Sequence, residues 1–132
     1  MEPKIVTAAI LKKGQAVLLM RRAPDENLAG KWEFPGGKLE VGETPEICLK
    51  RELQEELDIE VKVGRHLCDS LYNYPAGSIL LKAYFVDWLS GDILLRVHDK
   101  MQWVDSKDLL SFELAPADVE IAHKIQEVIS YV

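Results

Sequence analysis

The sequence predicts an α/β (α+β) domain of many strands and two helices, and three observations carry that reading. Residues 4–13, 16–20 and 79–88 are apolar, largely β-branched or aromatic runs bounded by turn residues. Leu49, Leu53 and Leu57 recur at i, i+4, i+8 after a Thr44-Pro45 start, the pattern of one helix with a single buried stripe. Pro116 opens a second helix, with Val119, Ala122, Ile125, Ile129 and, at its end, Val132 on the buried side.

Composition bounds the class. A chain of 132 residues is read as one domain, 1–132, large enough for a real core. With 48% hydrophobic residues it is globular rather than disordered. A net charge of −6 argues against a general nucleic-acid-binding surface, but not against a nucleotide whose phosphates arrive with metal. Cys48 and Cys68 make no disulfide framework, so a reduced cytoplasmic setting is expected. No apolar run precedes a cleavage site or is long enough to span a membrane.

The elements follow in order. The runs 4–13 and 16–20, turned by Gly14, are apolar on both faces, as strands of a covered sheet are. Arg21 and Arg22 end the second strand, either as a solvated end or as a grip on phosphate or base. Residues 25–30 are polar and form a loop. Trp32-Glu33-Phe34 is a short strand leading into Gly36-Gly37, where the absence of side chains lets backbone approach a ligand. Thr44 is a good N-cap, and Pro45 suits the first helical position, where its missing N–H is no loss. Cys48 is a small packing residue.

Ile59 to Val63 alternates as a half-buried strand does, and the strand continues to about Tyr74 with an irregularity near Gly64. Residues 72–77 make a turn before the strand at 79–88. Residues 94–99 are irregular and lead to a last short strand at 101–104. Ser106 to Leu110 is a short helical turn. His98 is expected to be a loop residue rather than a ligand or base, and His66 and His123 have no assigned role.

Chemistry concentrates on the first helix. Glu52, Glu55 and Glu56 stand at i, i+3, i+4 and share one face, within roughly 100° of its circumference. Three like charges there repel and gain the helix nothing. Either the face is simply solvated, or something cationic sits on it, and hard divalent ions such as Mg²⁺ take carboxylate oxygen.

The loop ahead of the helix favours the cation. Gly37, Glu43, Arg51, Glu52, Leu53, Glu55, Glu56 and Ile59 fall on the pattern G-x5-E-x7-R-E-U-x-E-E-x-G-U, with U a bulky aliphatic residue. The stretch 37–59 thus resembles the Nudix box. It departs at Asp58, where the family has a helix-ending glycine; Asp tolerates the left-handed conformation better than most residues do. Arg21-Arg22-Ala23 and Lys31-Trp32-Glu33-Phe34-Pro35-Gly36-Gly37-Lys38 further resemble the MutT-type members.

The resemblance implies a Nudix fold, a mixed β-sheet sandwiched between helices, and Mg²⁺-dependent hydrolysis (Mn²⁺ as alternative) of a nucleoside triphosphate to monophosphate and pyrophosphate. An 8-oxo-dGTP or modified cytidine triphosphate is within that range. It implies Glu52, Glu55, Glu56 and the Gly36 carbonyl as metal ligands, with Glu52 as base, oriented by Arg51. Glu43 would pair with Arg51 and fix the loop to the helix. Arg22 and Lys38 would meet the nucleotide, Lys38 alternatively being a solvated loop residue. Tyr74 lies near an aromatic base contact, and Tyr72 and Tyr74 could stack on a base or simply pack. Where some members carry an arginine this chain has Gly77. Asp118 would reach the base edge, accepting from an N–H, or would cap the last helix. Many relatives have a glutamate at the position of Val97; Asp99 would replace it only after a shift of its loop.

The expected partner is a nucleotide substrate, without a stable nucleic-acid or membrane partner, the chain being a monomer or a homodimer. A purely structural interaction domain is one rival reading, which leaves the clustered carboxylates unexplained, and two others remain at this point. One is a hydrolase of ADP-ribose or another nucleoside diphosphate derivative. The other is a non-catalytic nucleotide sensor, which would more often have lost box carboxylates.

Overall fold

The computed structural model describes residues 2–129. Its elements are β1 (Lys4–Lys13), β2 (Ala16–Arg22), β3 (Trp32–Glu33), α1 (Pro45–Leu57), β4 (Glu60–Tyr74), β5 (Gly77–Ser90), β6 (His98–Asp105), a 3₁₀ turn (Ser106–Ser111) and α2 (Pro116–Ile129). The expected contribution of Val132 to the last helix lies outside the described residues.

The strands form one mixed sheet in the order β3-β2-β1-β5-β4, with β6 along the other edge of β2. β1 runs parallel to β5, and the other pairings are antiparallel. Alternation along the central strands serves two cores at once. Ala8, Ile10, Val17 and Leu19 pack toward Ile121 and Ile125 of α2. Ala9, Leu11, Leu18 and Met20 pack toward Leu49, Leu53 and Leu57 of α1. That is why β1 and β2 read as apolar on both faces, and the result is a sheet sandwiched between helices. Each fully buried leucine contributes about 1.5–3 kcal/mol of transfer free energy.

β1 and β2 pair only beside their hairpin, at Lys12↔Val17 and Lys13↔Ala16, and then splay. The glycine loop fills the gap. Ala9 N–H donates to the Pro35 carbonyl at 2.7 Å, Thr7 N–H to that of Gly37 at 2.8 Å, and Leu39 N–H to that of Ile5 at 3.0 Å. The loop is therefore held as firmly as a strand, and it delivers the chain to the start of α1. There the Thr44 hydroxyl accepts from Ile47 N–H at 3.2 Å, satisfying one of the helix's unpaired donors.

At the other end of α1, Asp58 takes the left-handed conformation, with φ 59° and ψ 36°. Its N–H caps the helix by donating to the carbonyls of Gln54 and Leu53. Its carboxylate accepts from Gln54 Nε2 at 3.2 Å and lies 3.5 Å from Arg96. Asp thus supplies contacts that glycine could not, in compensation for the unfavourable φ.

Three expectations need correction. β6 begins at His98 rather than near Met101, because 98–100 pair with Arg22 and Arg21 of β2. His98 is accordingly a buried strand residue, not a loop residue. The buried face of α2 is Ala117, Asp118, Ile121, Ala122, Ile125 and Ile129, and Val119 is 36% exposed. A buried aspartate on that face displaces the stripe that aliphatic spacing alone suggests. The strand at 60–74 does shift register between Val63 and His66, beside Gly64. Among the described residues no helix is long and apolar enough to cross a membrane.

Candidate active site

A cleft of about 860 Å³ opens where β1 and β2 splay. Gly36, Gly37 and Lys38 form one wall, Tyr74 to Ser78 another, and Arg22, Glu33, Glu56, His98 and Asp118 the floor and inner end. Of the sequence-predicted residues, Arg22, Gly36, Lys38, Glu56, Tyr74 and Asp118 line it. Arg51, Glu52 and Glu55 stand behind the glycine wall on α1.

Arg51 ties loop to helix. Its Nε and Nη2 donate to Glu43 at 2.7 and 2.9 Å, its Nη1 to Glu52 at 2.9 Å and Glu55 at 3.1 Å, and its Nη2 also to the Lys38 carbonyl at 3.2 Å. The Arg51 guanidinium, helped by the Glu40 N–H, holds the Glu43 carboxyl at about 2. The expected Glu43–Arg51 pair is therefore present.

Glu52 and Glu56 sit in the opposite electrostatic situation. Burial pushes both carboxyls up, Glu56 to about 7, with the neighbouring Glu52 charge as the second cause. Glu55, by contrast, has a 60% exposed side chain. Gly37 lies flat against this group: a Cβ there would come within 2.3 Å of the Glu52 carboxyl carbon. Gly36 is packed as tightly on the other side, where a Cβ would meet the Thr7 carbonyl oxygen at 2.0 Å. The Pro35 and Gly37 carbonyls are taken up by β1, and alternation turns the Gly36 carbonyl to the opposite side.

The residues present fit a hard divalent cation by donor chemistry, since they are carboxylates and a carbonyl. They fit it by electrostatics too: two desolvated carboxyls lie side by side, where a cation could take the place of the proton. As the side chains stand, however, Arg51 occupies Glu52 and Glu55, and no three His, Cys, Asp or Glu side chains among the described residues are gathered around a common metal position.

At the inner end, Asp118 is buried, and its Oδ1 accepts from Phe34 N–H at 3.1 Å. Its side chain is turned to the segment entering the glycine loop, not back to the start of its own helix. Complete burial, with Glu33 second, pushes its carboxyl well above the usual range. A protonated Asp118 can donate as well as accept, which widens the accept-only role expected from sequence. The Tyr74 hydroxyl accepts from Ala117 N–H at 3.1 Å, and its ring lies 4.6 Å from that of Tyr72. Tyr74 thus anchors the start of α2 while its ring lines the cleft.

Arg22 is engaged on the protein side. Its Nη1 donates to both Glu33 oxygens at 3.1 and 3.2 Å, and its Nε to the Asn27 carbonyl. Asp99 is paired with Arg21 at 2.6 Å, which ties it to β2 and leaves Val97 without a carboxylate substitute. Two cleft residues escaped the sequence reading, Glu33 and His98. A signal existed for Glu33, the lone charge in an aromatic strand and hence opposite Trp32 and Phe34 in alternation. None existed for His98, since only the pairing of β6 with β2 brings it in.

A NUDIX domain matches residues 1–125. The chain is 35% identical over 116 residues to a CTP pyrophosphohydrolase of Escherichia coli, covering 88% of this chain and 86% of that one. It is 30% identical over 125 residues to an E. coli 8-oxo-dGTP diphosphatase, covering 95% and 97%. The solution structure of the E. coli ORF135 protein superposes with a TM-score of 0.89 at 32% identity, over 99% of this chain and 94% of that one.

Proposed function

The chain belongs to the NUDIX family of hydrolases, and on that premise we propose that it hydrolyses a nucleoside triphosphate to the monophosphate and pyrophosphate with Mg²⁺. The observation that carries this is the layout of the cleft. A row of carboxyls runs from Glu52, against the glycine wall, through Glu56, within electrostatic reach of both Glu52 and Glu33, to the hydrogen-bonding Glu33 and Asp118 at the inner end. A base at the inner end and phosphates along Gly36-Gly37-Lys38 span that distance in one orientation.

Glu52, Glu55, Glu56 and the Gly36 carbonyl would hold the ion, with Mn²⁺ as a substitute. When bound, it supplies charge neutralisation and acidifies a water. The remaining work belongs to the chain. Glu52 takes the proton of the attacking water, and Arg51, 2.9 Å from its Oε1, keeps that carboxylate oriented. Lys38, exposed on the cleft wall, meets phosphate. Arg22 reaches the nucleotide while braced on Glu33. Asp118, with one oxygen fixed by Phe34 N–H, presents the other to the base edge, and the Tyr74 ring flanks it.

The names of the relatives support two substrate classes, cytidine triphosphates and 8-oxo-dGTP. Pyrophosphate release with Mg²⁺ across canonical, 8-oxo and 5-substituted triphosphates, together with ADP-ribose, tests the reading. Selectivity for one triphosphate class is expected. Turnover of ADP-ribose alone would refute the substrate class and keep the metal site. Nucleotide binding without turnover would refute the enzymatic reading.

A further inference from the structure

Among the described residues one buried side-chain polar atom lacks a hydrogen-bond partner, Nδ1 of His98. The His98 side chain is only 3% exposed, yet the residue lines the cleft. It stands opposite Arg22 in the β2–β6 ladder, just past a register shift between Arg21 and Arg22. Irregularities of this kind re-aim side chains. Beside this one stand two groups, Arg21 paired with Asp99, and Arg22 paired with Glu33, whose carboxylate also meets His98 Nε2.

His98 Nε2 lies 2.8 Å from Glu33 Oε2, and Arg22 Nη1 contacts both Glu33 oxygens. A carboxylate only accepts, so Nε2 carries the hydrogen toward Glu33, while Nδ1 meets no partner. An apolar residue would fill the same buried space without an orphaned atom. The hydrogen bond that the imidazole makes is to Glu33, and the ring also stands within electrostatic reach of Glu56. The Glu33 side chain is 19% exposed, and Glu33 and Asp118 both line the cleft.

We infer that His98 is a positioning residue for substrate selection: with Arg22 it clamps the Glu33 carboxylate in the orientation that meets the edge of the bound nucleobase. A carboxylate held by two donors on its protein side has a remaining acceptor direction and little rotational freedom, so it recognises a base N–H or exocyclic amino group at a defined place. The inference rests on the nucleotide reading of the cleft.

The test is steady-state kinetics of pyrophosphate release for His98→Leu and His98→Gln on the four canonical triphosphates and 8-oxo-dGTP, with thermal melting of each variant. His98→Leu is expected to raise KM for the preferred base about tenfold and to compress the ranking among bases, while kcat falls less than KM rises. His98→Gln, which can still donate toward Glu33, should recover most of the ranking. Glu33→Gln should compress the ranking likewise, and the double variant with His98→Leu should be no worse than Glu33→Gln alone, since both act through one contact. An unchanged ranking in folded His98→Leu overturns the inference. So does an equal loss of kcat for all bases, or a strictly additive double variant. If His98→Leu does not fold, His98→Ala, which also removes the donor, gives the same comparison when paired with Glu33→Gln. Failure of the enzymatic reading is seen separately, as no pyrophosphate release by the wild type. The ranking is then read as binding of the same nucleotides, and a wild-type ranking in folded His98→Leu again overturns the inference.

Discussion

Gly37→Ala separates catalysis from folding. The added Cβ would stand 2.3 Å from the Glu52 carboxyl carbon and 2.4 and 2.6 Å from its oxygens. Ordinary contact needs about 3.4 Å or more, so something must move by about 1 Å. The part that gives is the far end of a glutamate, a flexible side chain, and not backbone. Thr7 N–H can therefore keep its bond to the Gly37 carbonyl. Displacing a reacting group by about 1 Å costs on the order of 10²-fold in rate, or about 2.7 kcal/mol at the transition state. Stability should change by no more than about 1 kcal/mol, the scale of a single side-chain rearrangement. Gly36→Ala is the contrast. Its Cβ would stand 2.0 Å from the backbone oxygen of Thr7, so the loop must leave β1 and its backbone hydrogen bonds with it, at about 1 kcal/mol each. The assay is kcat/KM for pyrophosphate release alongside the thermal midpoint of both variants. Wild-type rate in Gly37→Ala, or a loss of stability equal to that of Gly36→Ala, would refute the argument.

Other expectations follow from the same contacts. Glu55→Gln should abolish Mg²⁺-dependent turnover with stability within about 0.5 kcal/mol, since its carboxylate is mostly exposed; turnover at the wild-type rate would remove Glu55 from the metal site. Arg51 holds Glu43 at about 2 in the folded chain, below its unfolded value, so this pair stabilises the fold above about pH 4.5 and loses that effect as pH falls toward 2. Urea unfolding between pH 2 and 7 should show that slope reduced in Glu43→Gln, and an identical profile would show that the pair is not linked to folding. Asp118 has the opposite sign: burial raises its folded pKa, so its stabilising effect is complete below the unfolded value near 3.9 and is lost as pH rises through the folded one. Asp118→Asn should lack that decline, and Asp118→Ala should alter the ranking among bases more than the best rate; a chain whose ranking does not move would leave Asp118 as a support for Phe34 N–H.

Local spacing was enough for the elements whose causes are local. Thr44, Pro45 and the leucine stripe define α1 because capping and a 3.6-residue period act within a few residues of chain. Alternation along 60–63 and apolar runs in β1, β2 and β5 announce strands for the same reason. The box pattern places Arg51 beside Glu43, because a fixed loop length and about two helical turns determine that distance.

The remaining features depend on contacts between segments far apart in the chain. That β1 and β2 splay, and that the glycine loop closes the gap, depends on hydrogen bonds between 5–9 and 35–39. That Asp118 is buried against Phe34, shifting the face of α2 and exposing Val119, depends on a contact across 84 positions. His98 reaches Glu33 across 65 positions through the β2–β6 register. Period and capping carry no information about such pairings, because a charged or polar residue has the same local pattern whether water or a buried partner receives it. Packing makes that choice, and in this chain it sets the inner end of the cleft, where bases would be distinguished. The carboxylate helix and its glycine loop, by contrast, are already written in 23 consecutive residues, 37–59.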